Sequence, residues 1–578
     1  MLFIAPLPFI APLAHCLIAT LLLSPPQATR PAGSAAIIGR VVDGGAADQR
    51  IGGVTVTIAG GGLPAAEKTV TDADGQFVFR ALPAGSYSLG VKRGGYLDGS
   101  FGQQRPGGPS RSLILSDGER REDINVRMFK PSAITGVVTD EANEPVVKVE
   151  VRAYQRTFMS GRAVLGLIGT DLTDDRGAYR IGRLLPGDYV IAVPLAAGSP
   201  PPGAIVDEVM VRDGGSSAAH LPPSDGKQRK FPTTYYPTGQ TAAQATIITL
   251  GIGDARRNAD LQLRPLKALN ISGAVQMATG LARGVSLELV TAGEDDIGGS
   301  RPTATAITGE GGTFAFPAIP VGQYVLRAQV RPSRTSSLDD VTQWAEQAIV
   351  LDDKDVSDMT LFMRGGSTVS GRIEFDGSSE DNSGTNSGFA IVLDPANVRY
   401  ASTPLPAATI DPARKTFSFA NVMPGRYLIR VKNPGTRAVK SVTYQGRDVS
   451  QWPFTVDASD ASGMILTLSD RAPVLTGTVS GSAEIGDATV LMFPLDPQRW
   501  LDFGMTPMAP RLIDVTTRGT FEVRTIPAGD YLLVAFDQNT TIDWHNPDFL
   551  RKASGLATQV RLTDGEATSI DLRVVSIK

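Results

Sequence analysis

The side chains that most often carry out catalysis are scarce in this sequence and poorly spaced for it. The 578-residue chain contains three histidines, His15, His220 and His545. A zinc hydrolase uses two histidines and a glutamate as ligands, and neither segment 220–223 nor segment 545–548 places a glutamate at ligand spacing. We therefore predict no zinc centre and no other metal or cofactor.

Nucleophilic catalysis has equally little support. Cys16 is the only cysteine, and it lies in an apolar N-terminal segment. The sequence contains neither a G-x-S-x-G nucleophile elbow nor a G-x-x-x-x-G-K-[ST] phosphate loop. The paired carboxylates of a glycosidase are set by spatial separation rather than by sequence, but no cleft-forming domain is left to hold them. The chain is therefore predicted not to be an enzyme.

Asp72, Asp74 and Gly75 have part of the spacing of a calcium-binding loop. An EF-type loop also requires a glutamate six residues after the glycine, and position 81 is alanine. Aspartate and glycine at such positions equally build ordinary turns. We therefore predict turns rather than calcium sites here and at residues 174–175.

Flat aromatic side chains are a further candidate chemistry, because sandwich domains bind sugars by stacking on them. Tyr235 and Tyr236 follow a polar stretch and are the first candidate ligand-binding residues, and Trp544 is the next. Aromatic side chains more often fill cores and the seams between domains, so both uses stay open. The other aromatic candidates are Tyr96, Phe101, Trp452 and Trp500.

The elements that would position these residues are indicated by a pattern that occurs five times. Each copy has an aromatic residue, an apolar residue two positions later, and then a proline, a glycine and a tyrosine. The aromatic residue precedes the tyrosine by ten positions, and the glycine precedes it by two. The pairs are Phe77 and Tyr87, Tyr179 and Tyr189, Phe314 and Tyr324, Phe417 and Tyr427, and Phe521 and Tyr531. Alternating strands around a Pro-Gly turn predict a β-hairpin in each copy.

Each copy opens with a glycine-containing strand, and further alternating strands follow. About seven short strands in roughly 100 residues is the pattern of a β-sandwich. We predict an all-β fold, a tandem array of five antiparallel β-sandwich domains of the prealbumin or immunoglobulin-like type. The predicted segments are a signal peptide at 1–35 and domains at 36–130, 131–265, 266–366, 367–471 and 472–578.

The second domain is predicted to carry a loop insertion at about 197–234, because Tyr189 and Tyr324 are the most widely separated successive hairpin tyrosines. The residues that all copies share build hairpins and cores, so we expect any ligand site on the second domain, which alone adds a long loop, rather than in every domain. Disorder of the insertion is the alternative. The domain boundaries leave almost no linker, which predicts a semi-rigid rod of abutting domains.

The first domain contains G-x-V at 39–41, T-D-x-x-G-x-F-x-F at 71–79 and L-P-x-G-x-Y-x-L at 82–89. This set resembles the carboxypeptidase regulatory-like domain, a transthyretin-like sandwich related in shape to starch-binding and other carbohydrate-binding-like folds. The later domains match with declining strength. The resemblance implies the fold and export but no specific activity, since in the namesake enzymes the chemistry lies in a separate zinc peptidase domain.

Charge and hydropathy indicate where the protein acts. A formal net charge of −4 and the lack of a sustained Lys/Arg block predict no nucleic-acid binding. Residues 1–23 are apolar and carry no charged side chain, which indicates a signal that is either cleaved or retained as an anchor. No later stretch reaches the roughly 18 apolar residues of a transmembrane helix. We predict a secreted, periplasmic or cell-surface protein.

Two functions compete for such a chain. One is a non-catalytic binding protein that holds polysaccharide through starch-binding-like sandwich domains, with linked copies adding avidity. The alternative is a structural spacer or a protein–protein assembly component of the cell envelope. Exposed coplanar aromatic rings would favour the first function. Burial of Trp452, Trp500 and Trp544 would favour the second.

Overall fold

A computed structural model gives the fold of the chain. It describes residues 33–576 except 46–47, 196–228, 279, 294–301, 331–342, 378–388, 397–406, 435–436, 482–487, 517, 538–539 and 541. The structure is about 58% strand and 4% helix, which confirms the all-β prediction. For reference we call the five predicted domain segments modules one to five. Their number and boundaries stay a prediction.

The strands of the first three modules are as follows. Module one has β1 (Ala35–Asp43), β2 (Gln49–Arg50), β3 (Thr55–Gly60), β4 (Glu67–Val70), β5 (Gln76–Leu82), β6 (Gly85–Lys92), β7 (Gly99–Ser100), β8 (Leu113–Leu115) and β9 (Arg120–Met128). Module two has β10 (Ser132–Thr139), β11 (Glu150–Met159), β12 (Arg162–Leu172), β13 (Ala178–Leu184), β14 (Gly187–Val193), β15 (Arg229–Lys230), β16 (Thr234–Tyr235), a 3₁₀ turn (Ala242–Gln244), β17 (Ile248–Leu250), β18 (Ala255–Arg256) and β19 (Leu261–Gln262). Module three has β20 (Leu266–Met277), β21 (Gly280–Leu281), β22 (Ser286–Thr291), β23 (Ala304–Ile307), a 3₁₀ turn (Glu310–Gly312), β24 (Thr313–Pro320), β25 (Gly322–Val330), β26 (Gln343–Leu351), β27 (Val356–Phe362) and β28 (Arg364–Gly365).

The last two modules follow the same order. Module four has β29 (Ser367–Asp376), β30 (Ala390–Pro395), β31 (Thr409–Asp411), β32 (Thr416–Val422), β33 (Gly425–Lys432), β34 (Ala438–Tyr444), β35 (Arg447–Asp448), β36 (Phe454–Val456) and β37 (Ala461–Ser469). Module five has β38 (Val474–Ser480), β39 (Thr489–Pro494), a 3₁₀ turn (Pro497–Trp500), β40 (Arg511–Asp514), β41 (Thr520–Val523), β42 (Gly529–Phe536), helix α1 (Pro547–Ser554), β43 (Thr558–Leu562) and β44 (Ala567–Val575). Within the described residues, no helix is long and apolar enough to cross a membrane.

The strands of each module form two layers around an apolar core. In module one, β1 pairs with β5 in one sheet, and β3 pairs with β4 and β6 in the other. In each module the first strand also pairs in parallel with a strand near the C-terminal end of that module, and in module two with two such strands. Among the ladders described, the pair β42–β44 is also parallel, and the others are antiparallel. In module five the layers are joined, because β42 pairs with β44. Five large hydrophobic clusters fill these layers, and the buried residues of each come from a single module.

The glycine of each opening strand makes room for a neighbouring carbonyl oxygen and, in four of the five modules, also for the first aromatic residue of the hairpin. Gly39 is the cross-strand partner of Phe77, and a Cβ at Gly39 would lie 2.4 Å from the Phe77 ring and 2.6 Å from the Ile124 carbonyl oxygen. Any side chain larger than hydrogen would therefore displace the ring or the neighbouring strand. The same pairing recurs at Gly136 and Tyr179, Gly273 and Phe314, Gly371 and Phe417, and Gly477 and Phe521.

The hairpin tyrosine also has one structural role in all five copies. The Tyr87 hydroxyl donates a hydrogen bond to the carbonyl oxygen of Pro83, at 2.6 Å, and its ring lies in the core. This bond closes the turn that the Pro-Gly pair begins. The equivalent bonds run from Tyr189 to Leu185, Tyr324 to Pro320, Tyr427 to Met423 and Tyr531 to Pro527. The repeated residues therefore serve to form the hairpin and the core of each module.

The aspartates considered for calcium make turn contacts. The Asp72 carboxylate accepts the backbone N–H of Gln76 at 2.8 Å, and Asp74 pairs with Arg50 at 2.9 Å. The Asp174 carboxylate accepts the N–H of Ala178 in the same way. Across the described ranges, no group of three or more His, Cys, Asp or Glu side chains is arranged to hold a metal.

Candidate functional site at the junction of modules two, four and five

The aromatic side chains predicted to bind a ligand lie mostly in packed surroundings. Tyr235 is 4% exposed, and it packs in a small hydrophobic cluster that also includes Tyr154 and Val190. Tyr236 is half-buried against the core of module two. Both residues follow the predicted insertion, whose residues 197–228 lie outside the described part of the chain. Their assignment as ligand-binding residues stays a prediction.

The tryptophan candidates lie around one loop of module five. Trp500 is buried, and its indole N–H donates to the Pro494 carbonyl oxygen at 2.9 Å. Trp544 is half-buried and stacks on His545, with ring centroids 3.6 Å apart. Trp452 is also half-buried, beneath the Arg499 guanidinium. Among the tyrosines and tryptophans that the structure describes, none is exposed.

The outer faces of two sheets meet at this loop. In module five, α1 and Trp500 cover the outward side chains of β39 and β42, such as Phe493 and Phe536. In module four, the outward side chains of β30 and β33 include Asp394 and Arg430, both of which are buried. Residues 502–506 of module five lie over these two groups.

Asp394 binds the loop through its carboxylate. Its oxygens accept hydrogen bonds from the backbone N–H groups of Met505 and Thr506, each at 2.9 Å, and from the Thr506 hydroxyl at 2.8 Å. A Cβ at Gly504 would lie 2.4 Å from an Asp394 oxygen. The carboxylate therefore needs glycine at that position to approach the loop backbone this closely.

The buried guanidinium of Arg430 donates its hydrogen bonds to backbone carbonyl oxygens. It donates to the carbonyl oxygens of Thr506 and Phe503, both at 3.1 Å, and to that of Ser450 at 3.0 Å. Burial lowers the pKa of Arg430 to about 10, and the nearby Asp394 carboxylate opposes that shift. The group therefore stays charged at neutral pH, and its charge is shared among backbone dipoles and one carboxylate.

A hairpin of module two reaches the same loop from the other side. Strands β11 and β12 are joined by Ser160 and Gly161, whose φ angles of 50° and 79° are both positive. Two positive φ angles in a two-residue loop define a type I′ turn. The Ser160 carbonyl oxygen accepts the Asp502 N–H at 2.8 Å, and the Ser160 hydroxyl oxygen accepts the Gly504 N–H at 2.8 Å.

Ion pairs complete the contact between the three modules. Asp502 accepts hydrogen bonds from Arg162 of module two at 2.8 Å and from Arg426 of module four at 2.7 Å. Burial alone would raise the pKa of Asp502, but the bonds from Arg162 and Arg426 outweigh it and lower that pKa. The carboxylate is therefore ionised at neutral pH and links two guanidinium groups from different modules.

The junction corrects the expectation of a rod in which only neighbouring modules touch. Module two contacts module five, which is 340 residues further along the chain at the Arg162–Asp502 pair. The Ser160-Gly161 dipeptide between two alternating stretches could have indicated the hairpin turn from sequence. No sequence signal indicated its partner, and sequence reasoning missed Asp394, Arg430 and Asp502.

The comparison with protein families agrees with the fold of module one. Residues 36–127 match the family described as the carboxypeptidase regulatory-like domain. The chain therefore contains this domain there, as its motifs predicted. The comparison with curated proteins gave no match.

Several solved structures match parts of the chain at low similarity. The TIE protein of Bacillus anthracis is 12% identical to this chain, with a TM-score of 0.16. The match covers 57% of this chain and 50% of the TIE protein chain. A streptococcal ancillary pilin is 12% identical over 57% of this chain and 99% of its own, with a TM-score of 0.19. A Pseudomonas aeruginosa protein to which carbohydrate binding is provisionally ascribed is 17% identical over 17% of this chain and 89% of its own, with a TM-score of 0.14. These values are too low to indicate what this chain binds.

Proposed function

We infer that the chain is a non-catalytic, exported structural protein that presents an array of β-sandwich modules to protein partners at the cell envelope. The observation that carries this proposal is the placement of its aromatic side chains. Trp500, Phe503 and Trp544 pack in the region where modules two, four and five meet. Side chains that are packed in this way offer no open platform to a sugar.

The repeated residues support the same function. The glycine–aromatic pair and the tyrosine hydroxyl bond occur in all five copies, where they build the hairpin and the core. The repeated residues therefore supply structure in each module rather than a binding site. The carboxypeptidase regulatory-like domain resembled by module one is an accessory in its namesake enzymes. An array built from such domains fits a structural role better than a catalytic one.

Export and protein contact can be tested in the same cells. We expect the full chain in the envelope or medium, and a variant without residues 1–35 in the cytoplasm. In-cell cross-linking followed by mass spectrometry should recover envelope proteins bound to the full chain. Retention of the full chain in the cytoplasm, or turnover of a peptide, ester or glycan that a point mutation abolishes, would contradict the proposal.

Carbohydrate binding is the second candidate, and Tyr236 is the observation that favours it. This ring is half-buried rather than enclosed, and it follows the insertion in sequence. A glycan array on the full chain, on Tyr236→Ala and on a deletion of 197–228 tests this function. The deletion must end at 228, because Arg229 and Lys230 pair with Lys267 and Leu266 of module three. Glycan binding that both changes abolish would replace the structural proposal.

A further inference from the structure

We propose that residues 500–504 and 543–545 of module five form a docking site for the β11–β12 turn of module two, and that protonation of His545 releases this turn. The turn and the site are both parts of this chain, so the interaction sets the arrangement of modules. It goes beyond the structural role inferred above, because a scaffold does not need a contact that can open.

The site fits this turn in shape and in hydrogen bonding. Ser160 is 1% exposed, and its N–H, carbonyl oxygen and hydroxyl oxygen are each bonded to module five. A Cβ at Gly161 would lie 2.0 Å from the Trp500 carbonyl oxygen. The type I′ turn needs a residue that tolerates positive φ at this position, and the site leaves no room for a side chain there.

His545 supplies the one acceptor in this contact that can be lost near neutral pH. Its Nδ1 accepts the Ser160 N–H at 3.3 Å, which requires an unprotonated Nδ1. The imidazole stacks on Trp544 and Phe503, with centroid distances of 3.6 and 5.7 Å. Protonation would turn the acceptor into a donor that faces another donor, and it would place a cation in this partly buried stack.

The charged groups around His545 do not favour its protonation. Arg162 from β12 and Arg426 from β33 share the single carboxylate of Asp502, so these three groups already carry one net positive charge. Asp543, on the same loop as His545, is half-buried, and burial raises its pKa although a bond with Asn546 opposes the shift. Asp502 is bound to the two guanidinium groups and Asp543 to Asn546, and burial is the cause that shifts the pKa of His545.

The direction of the pH effect follows from these contacts. Burial lowers the pKa of His545 below its ordinary value of 6.5. Docking is therefore strongest above pH 6.5, and it weakens as the pH falls through 6.5 towards the lower value of the docked state. Asp502 has a pKa below its ordinary value of 3.8, so its protonation weakens docking only under much more acidic conditions.

Small-angle X-ray scattering of the purified mature chain, at about pH 7.5 and about pH 5, tests the proposal. We expect the radius of gyration to rise at the lower pH. His545→Asn keeps an acceptor near the Nδ1 position but cannot titrate, so its radius should be the same at both values. The matched control His220→Asn should behave like the natural chain. Gly161→Val, checked for folding by circular dichroism, should show the larger radius at both values.

Each other outcome overturns the proposal. A Gly161→Val chain with the natural radius would mean that the turn does not hold the modules together. A natural chain with the same radius at both pH values, or a His545→Asn chain that opens like the natural one, would remove His545 as the sensor. None of these results depends on which partner the envelope protein binds, so the inferred function is tested separately.

Discussion

The guanidinium of Arg162 and the carboxylate of Asp502 lie 340 positions apart in the chain, and their Nη2 and Oδ2 atoms are 2.8 Å apart in the structure. Arg426 binds the same carboxylate from module four. A contact between such distant residues has a high entropic cost of closure unless intervening modules already hold the ends near each other. The formation of this pair therefore depends on how modules two and five are arranged relative to each other.

Asp502→Asn should weaken this junction. The substitution leaves two guanidinium groups without their carboxylate, and hydrogen bonds to charged groups contribute about 1.5–3 kcal/mol each when they are shielded from water. Both arginines are partly exposed, so we expect a loss near the lower value. Urea unfolding measures it. Asp74→Asn is the matched control, because the Arg50–Asp74 pair is exposed, and exposed pairs contribute about 0–1 kcal/mol. Equal effects of the two substitutions would contradict a buried role for Asp502.

Arg430→Met should uncouple the loop at 502–506 from module four. Methionine fills much of the space but donates no hydrogen bond to Thr506, Phe503 or Ser450, and it leaves Asp394 without its cation. Removing one partner of a buried pair is typically destabilising by about 3–5 kcal/mol. Limited proteolysis should show faster cleavage in the loop, and calorimetry a lower transition temperature. Arg372→Met, at an exposed pair with Glu374, should change neither measurement appreciably.

Gly39→Ala should destabilise module one even though alanine suits a strand better than glycine does. The added methyl group would overlap the Phe77 ring and the Ile124 carbonyl oxygen, and overpacking of this kind costs about 1–3 kcal/mol. Thermal unfolding followed by calorimetry should show the loss. Gly94→Ala is the control, because nothing lies within 4 Å of a Cβ at that glycine. A Gly39→Ala chain as stable as the control would mean that the glycine–aromatic pairing has no packing role.

Tyr87→Phe tests the hydroxyl bond that recurs in all five hairpins. The ring stays in the core while the bond to the Pro83 carbonyl oxygen is lost, which should reduce the stability of module one by about 0.5–1.5 kcal/mol. Denaturant unfolding provides the measurement. Tyr444→Phe should be nearly neutral, since its ring packs against Phe454 and no hydroxyl bond is seen for it among the described residues. A neutral Tyr87→Phe would argue that the ring alone explains the repeated tyrosine.

The sequence by itself determined the class of fold and the role of the repeat. Alternation and Pro-Gly turns are local properties of the chain, so the five hairpins at Tyr87, Tyr189, Tyr324, Tyr427 and Tyr531 could be predicted without a structure. The motifs of module one predicted its family in the same way. The reason that each opening strand contains glycine was not visible, because the atoms that approach it closely belong to neighbouring strands of the sheet.

The tertiary structure alone decided how the modules meet. Asp394 and Arg430 are polar residues in alternating strands, and their sequence context suggests solvent-facing positions. They are buried because a loop from the next module covers the outer face of their sheet. From sequence, Ser160 likewise looks like an ordinary turn residue. Only the tertiary structure shows that it bonds to Asp502 and His545. Such contacts depend on the relative positions of complete modules, and no local pattern of residues encodes those positions.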